Sequence, residues 1–481
     1  MARPGLKLGI VGGLGARAGA DILNQLVRLT PVKSEGDHRE ISFEQKPLVE
    51  ALSVASPDYA PVHRKFYVFD ALSRMEKSRC DAAMLPCFIT HTFLEELRAE
   101  LGLKLISMTD AIWAYLDQHH GAAKRVGVLT TPFVRNDGLF DRLLEPSRTA
   151  IFPSPGTEDA MIKAIYGPAG FKAGGPVEAI ATVIRTAIES LEDQGAEVIV
   201  PGMTEIPLIL ADIPTDRTPT ILPINEIYAR FALQETGQVS LKPFKIGVLG
   251  GVGPAATADF MTKIVNTTQA AKDQDHIKVI VEQNPQIPDR TDNLVGDGLD
   301  PTLALYATAK KLERGGADII AIPCNTAHAY VDRLQRHLDI PIVNMLTETV
   351  DHIAKISPAV RTVGILATSG TIASGLYQDA LKAAGILAVV PDKGEQDRVM
   401  DAIYGPFGVK AGHTFGLCAE HITAVVQSLR AQSAEAIILG CTELPLIKLS
   451  EELTRSTRVI DPTQVLASKC ISTSIAMLGA R

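Results

Sequence analysis

Cysteine is scarce in this 481-residue chain: there are six, none in the close pairs that bind metals or staple small secreted domains. Neither a metal site nor a disulfide framework is expected. No run of about 18 uncharged apolar residues occurs, which argues against a membrane-spanning helix. Lys and Arg form no cluster suited to tracking phosphates, and the net charge of −8 speaks against nucleic acid as a partner. Met1 leads almost directly into a strand-like stretch, Leu6–Val11, with no apolar secretory segment between. These absences together predict a cytoplasmic protein with reduced thiols. What is present is ordinary: 21% charged and 46% apolar residues, the balance of a chain that buries cores. Length alone suggests about three domains.

Self-similarity replaces that estimate. Lys7–Gly15 (KLGIVGGLG) returns as Lys245–Gly253 (KIGVLGGVG) at an offset of 238. Leu85-Pro-Cys87 with His91 returns as Ile322-Pro-Cys324 with His328, and Val126–Thr131 returns as Val363–Thr368. Ile165–Gly174 (IYGPAGFKAG) matches Ile403–Gly412 (IYGPFGVKAG), and Gly202–Ile209 (GMTEIPLI) matches Gly440–Ile447 (GCTELPLI). Five anchors in one order at a nearly constant offset describe a fused duplication. The polar stretch Gln238–Pro243 is the natural seam, giving domains at 1–242 and 243–481.

Within each half, short β-branched runs precede helix-like segments. In the second half Ile246–Leu249 leads through a glycine turn to a helix from about Ala255, and Ile277–Glu282 is strand-like. Pro301–Arg314 is helical up to Gly315-Gly316, a C-cap signal. Ile319–Ile322 is a buried strand that stops at Cys324, and Ala434–Leu439 is another that stops at Cys441. The Arg361–Ala367 strand restarts a βα pattern after a Thr347–Ile356 helix. Alternating strands and helices predict an α/β fold with mostly parallel sheets, whose ligands bind beyond the carboxyl ends of the strands. Each half is long enough for two Rossmann-like lobes around a cleft, with one cysteine from each lobe.

Those two cysteines carry the candidate chemistry. Each follows an apolar strand and precedes polar residues, Cys324-Asn-Thr and Cys441-Thr-Glu, which places it near a helix start where amide dipoles lower a thiol's pKa. Cys80, Cys418 and Cys470 lack these flanks and read as structural. The turn Gly250–Gly253 lacks the third glycine of a dinucleotide fingerprint, because Ala256 stands there, and Glu282 is spaced too far on to serve as a ribose-binding acid. A backbone nest for a substrate carboxylate suits the turn better than a cofactor does.

At this point the second half resembles the cofactor-independent aspartate/glutamate racemase superfamily, and within it the aspartate racemase branch. The residues that carry the resemblance are Leu249–Pro254 (LGGVGP) with Thr257, Gln283–Arg290 (QNPQIPDR), Pro323–Thr326 (PCNT) and Gly440–Glu443 (GCTE). The resemblance implies a PLP-independent racemase in which Cys324 and Cys441 exchange protons with opposite faces of an amino acid's Cα, with no cofactor and no metal. It implies that Asn325, Thr326 and Thr442 hold the α-carboxylate and ammonium. Arg290 would take the side-chain carboxylate of an acidic amino acid, with Lys410 assisting, although Lys172 stands in the same place in the first half. His328 and Glu443 also recur there, as His91 and Glu205, and are read as loop supports. The acid in the first glycine loop and the histidine after Cys-Thr that glutamate racemases carry are both missing, which favours aspartate. A racemase of glutamate or of broader range, a decarboxylase or isomerase of the same superfamily, and a non-catalytic amino-acid-binding protein are the alternatives.

The first half departs from the pattern. It keeps Cys87 but has Met203 for the second thiol, Phe88-Ile89 for Asn325-Thr326, and Leu52 at the position of Arg290. It reads as a degenerate copy without a clamp cation, forming an internal pseudo-dimer with the active half; a further homodimer of the fused chain stays open, as does a regulatory ligand in the altered cleft.

Overall fold

The structure, a computed structural model, describes residues 6–48, 50, 54, 56, 58–211, 219–235, 243–356 and 360–479. The chain divides into two compact units, Met1–Lys242 and Pro243–Arg481. Most of the polar seam, residues 238–242, lies outside the described residues, as does Leu52.

In the first unit, β1 (Leu8–Val11), β2 (Ile41–Glu44), β3 (Ala82–Met84) and β4 (Lys104–Ile106) form one four-stranded sheet. β5 (Arg125–Val128), β6 (Thr149–Ile151), β7 (Val198–Val200) and β8 (Thr220–Ile221) form a second. The second unit repeats both: β9 (Lys245–Gly250) to β12 (Ile342–Val343), with β10 (Lys278–Gln283) and β11 (Ile319–Ala321) between, then β13 (Thr362–Leu366), β14 (Leu387–Val389), β15 (Ala436–Leu439) and β16 (Arg458–Ile460). The strand orders are β2-β1-β3-β4, β6-β5-β7-β8, β10-β9-β11-β12 and β14-β13-β15-β16, and every pairing is parallel. Parallel pairing demands crossovers, and helices covering both faces explain why the central strands are apolar throughout rather than alternating. β11 and β15 are fully buried along their length.

This order decides where a ligand can sit. In each sheet the chain moves outward from the first strand and then returns across it to the third, so the crossovers leave a crevice at the carboxyl ends of those two neighbours. In the second unit these neighbours are β9 with β11 in one lobe and β13 with β15 in the other. Each unit also closes on itself. The helix Pro462–Gly479 leaves the second lobe and buries Leu466, Ala467 and Cys470 in the core of the first, among Ile246, Val248, Phe260 and Ile319. In the first unit the helix Ile224–Gln234 does the same, and the Tyr228 hydroxyl donates to the carbonyl of Ile106 at 2.7 Å. Among the described residues, no helix is long and apolar enough to cross a membrane.

Candidate active site

All seven site residues expected from the sequence meet in the second unit. Arg290, Cys324, Asn325, Thr326, Lys410, Cys441 and Thr442 line one pocket between the two lobes, together with Val252, Thr291, Thr368, Tyr404 and Glu443. Cys324 follows β11 and Cys441 follows β15, so each lobe delivers one sulfur from its central crevice. The lobes are sewn together at this point: the Thr442 hydroxyl donates to the Pro323 carbonyl at 3.1 Å, and Thr326 shares hydrogen bonds with Thr368 at 3.0 Å and Thr371 at 2.8 Å. The free volume of the pocket is about 10 Å³, room for roughly one water.

The surroundings of the two sulfurs differ. Neither stands at the start of an α-helix; each precedes a 3₁₀ turn, Thr326–Tyr330 or Leu444–Leu446. The turn Leu444–Leu446 is too short to gather a macrodipole, so the expected lowering by helix amides has no source at Cys441. Cys441 moves in the opposite direction: burial, and then the carboxylate of Glu443, push its thiol well above the ordinary value. The Cys441 sulfur donates to Glu443 Oε2 at 3.1 Å. Glu443 Oε1 in turn pairs with Lys410 Nζ at 2.9 Å, and that ammonium lies 4.9 Å from the centre of the Tyr404 ring. Burial opposes the charge on Lys410, but Glu443 and Tyr404 outweigh it and raise its pKa.

Cys324 has a cation beside it instead. Arg290 is the first residue of a helix, Arg290–Val295, and is buried rather than solvated in a loop. Burial opposes its charge, while interactions with Cys324 and Asp289 outweigh that and hold the guanidinium charged. Its Nη1 donates to the carbonyls of Ile287 and Pro288 at 3.3 and 3.1 Å. Asn325 is fixed from the far lobe, where the buried Tyr377 hydroxyl donates to its Oδ1 at 2.7 Å. That leaves Asn325 Nδ2 and Arg290 Nε as buried N–H groups without acceptors among the described residues. Buried polar groups are nearly always satisfied, so two unmatched donors in the walls of one pocket mark a place for an anionic oxygen.

The glycine turn is partly occupied by its own neighbours. The Gly251 amide donates to Thr257 Oγ1 at 3.2 Å and is thus not free to hold a carboxylate. Gly253 has φ +118°, and a Cβ there would lie 2.5 Å from Glu443 Oε1. The absent side chain is what lets the Glu443 carboxylate approach. Glu282, the acid considered for a ribose, instead pairs with Lys311 on the surface. His328 does support a loop: the Met345 amide donates to Nε2, so the proton resides on Nδ1, which donates to the Cys324 carbonyl at 2.9 Å.

The first unit lacks half of this constellation. Phe88, Ile89 and Met203 line the equivalent position, whose free volume of about 20 Å³ is comparable to that of the second unit's pocket. The expectation that it lacks a cation needs correction. Arg64, on the helix Val62–Lys77, donates from Nη1 to the Cys87 sulfur at 3.1 Å and pairs with Glu50 at 2.5 Å. The residue at the same offset in the second copy is Thr302, so no repeat signal pointed to Arg64. Glu443, Tyr404 and Lys410, by contrast, have visible counterparts in Glu205, Tyr166 and Lys172.

The sequence model of a family described as Asp/Glu/Hydantoin racemase matches residues 11–230 and again 249–470. The broad specificity amino-acid racemase RacX of Bacillus subtilis is 32% identical over 240 residues, 48% of this chain and 98% of its own length. Glutamate racemase of Aquifex aeolicus is 30% identical over 161 residues, 33% of this chain and 59% of its own. Among solved structures, Picrophilus torridus aspartate racemase is 33% identical, covering 48% of this chain and 94% of its own, with a TM-score of 0.43.

Proposed function

The chain belongs to the Asp/Glu/hydantoin racemase family, one copy in each half, and from that premise we propose that the second unit racemises aspartate through Cys324 and Cys441 without a cofactor. The α-proton of an amino acid is a weak acid, so removing it requires a base on one face and a proton donor on the other. Cys324 has the Arg290 guanidinium as its neighbour. Cys441 is buried against Glu443, which favours the thiol. In one direction the Cys324 thiolate takes the α-proton, breaking the C–H bond and forming S–H. Cys441 then gives its proton to the opposite face of the carbanion and is left as thiolate, beside Lys410. The reverse reaction exchanges the roles.

The observation that carries this reading is the pair of unmatched donors, Asn325 Nδ2 and Arg290 Nε, in the pocket that also holds both sulfurs. They suit a carboxylate held between the thiols. Arg290 serves in this reading as the neighbour of Cys324 as much as a clamp for the substrate side chain. Because the pocket is nearly filled, the lobes must part to admit substrate, as in many enzymes that exclude water by closing.

The test is incubation with L-aspartate in D₂O without PLP, following Cα deuteration and optical rotation together, and repeating with glutamate and neutral amino acids to fix the range. Label incorporation and loss of rotation should both vanish in Cys324→Ser and in Cys441→Ser. Full activity in either variant overturns the two-thiol reading, and turnover of neutral amino acids at the rate of aspartate overturns the specificity.

A further inference from the structure

The first unit holds a cavity of about 440 Å³, within the range of about 300–1,000 Å³ that small-molecule sites occupy. It lies beside the counterpart of the second unit's pocket, sharing Leu14, Tyr166, Lys172 and Glu205 with it. Three cations and two carboxylates line it: Arg17, Arg64, Lys172, Glu50 and Glu205. Arg64 is paired with Glu50, and Lys172 with Glu205 at 2.8 Å. Arg17 has no ion-pair partner among the described residues; its guanidinium lies 4.6 Å from the centre of the Phe171 ring. Leu48, Val54 and Phe171 supply an apolar wall.

We propose that this cavity binds, without turnover, a free amino acid with an apolar side chain. The sign pattern selects the class. A dianion would meet two carboxylates, and an amine would meet three cations. A zwitterion can set its carboxylate on Arg17 and its ammonium toward the Glu205 carboxylate, both Glu50 oxygens being taken by Arg64 and Tyr59, while the side chain takes the apolar wall. Two-thiol turnover is excluded, because Met203 stands for the second cysteine and can neither give nor take a proton. The first copy is thus a binding unit whose site has moved outward from the ancestral one, and the Arg64–Glu50 pair, absent from the second copy, is part of its wall.

The test titrates L-phenylalanine and L-leucine by calorimetry into the full chain carrying Cys324→Ser and Asn325→Leu, which silences the second unit. One equivalent should bind per chain. Arg17→Gln should weaken binding at least about tenfold, and Ala16→Trp, another exposed residue of the cavity rim, should abolish it. 3-Phenylpropanoate and phenethylamine, each lacking one charge, should bind at least about tenfold more weakly than phenylalanine. The proposal is overturned by the absence of saturable heat up to about 10 mM, by binding indifferent to Ala16→Trp, or by 3-phenylpropanoate binding as tightly as phenylalanine. Because the second unit is silent in this background, none of these outcomes depends on its being an aspartate racemase.

Discussion

Tyr377→Phe removes one oxygen from the fully buried residue whose hydroxyl donates to Asn325 Oδ1. That bond fixes which way the Asn325 amide faces, and so holds its Nδ2 toward the pocket. Without it, Oδ1 is left buried and unpaired, at a cost of about 1–3 kcal/mol. The amide can recover part of this by turning over, but Oδ1 would then face the substrate carboxylate. Either outcome removes a donor from the bound state, and the same 1–3 kcal/mol corresponds to a drop in kcat/KM of about fivefold to 150-fold. The assay is D-aspartate formation followed by circular dichroism, with thermal unfolding measured alongside. Tm should also fall, by about 2–4 °C per kcal/mol for a unit of this size. Tyr228→Phe in the first unit is the control. Its hydroxyl is equally buried, between the Leu85 amide and the Ile106 carbonyl, so it should lower Tm without changing kinetics. A Tyr377→Phe enzyme with kcat/KM within about twofold of wild type and a lowered Tm would refute the orienting role.

Three further outcomes follow from the same geometry. Glu443→Gln removes the carboxylate that, after burial, holds the Cys441 thiol up, so iodoacetamide should label Cys441 faster at a fixed mildly alkaline pH; unchanged labelling would assign the whole shift to burial. Met203→Cys should not create a second active site when Cys324 and Cys441 are both serine, because Phe88 and Ile89 still supply none of the polar contacts of Asn325 and Thr326; any aspartate exchange in D₂O counts against that account. His91 is buried and its pKa lowered to about 4. The folded state therefore favours the neutral ring, so its contribution is intact above the ordinary histidine value of about 6.5 and is lost as pH falls toward 4. His91→Gln should flatten that part of the pH–stability curve of the first unit, and an unchanged slope would mean that other groups set it.

Strand-level architecture is legible in the chain because apolar runs ending at Cys324 and Cys441 are local signals, and the duplication displays each of them twice. Position beside a strand end is similarly local, which is why seven of the twelve residues that line the pocket could be named in advance. What surrounds them is not local. Tyr377 reaches Asn325 from the other lobe, and Arg64 reaches Cys87 from a helix with no matching residue in the sister copy. The direction of the shift at Cys441 depends on burial and on a carboxylate two residues away that only a 3₁₀ turn brings to the sulfur. A motif can mark a reactive residue, but its electrostatics are decided by the neighbours that packing supplies. The same holds for Gly253, whose sequence context suggests an anion nest and whose actual service is to leave room for Glu443.

The terminal helix Pro462–Gly479 gives the molecule an order of birth. Ile246 and Val248 enter the ribosomal tunnel about 220 residues before Leu466, yet they share one core with it. At translation rates of about 5–20 residues per second, those strands wait roughly 10–40 s for the helix that covers them. The first unit completes its own core with Ile224–Gln234, before any of the second unit has been made. Synthesis therefore releases a finished first unit ahead of an unfinished second one, and a chain that stops short of residue 462 should retain the former while leaving the latter open to aggregation and proteolysis.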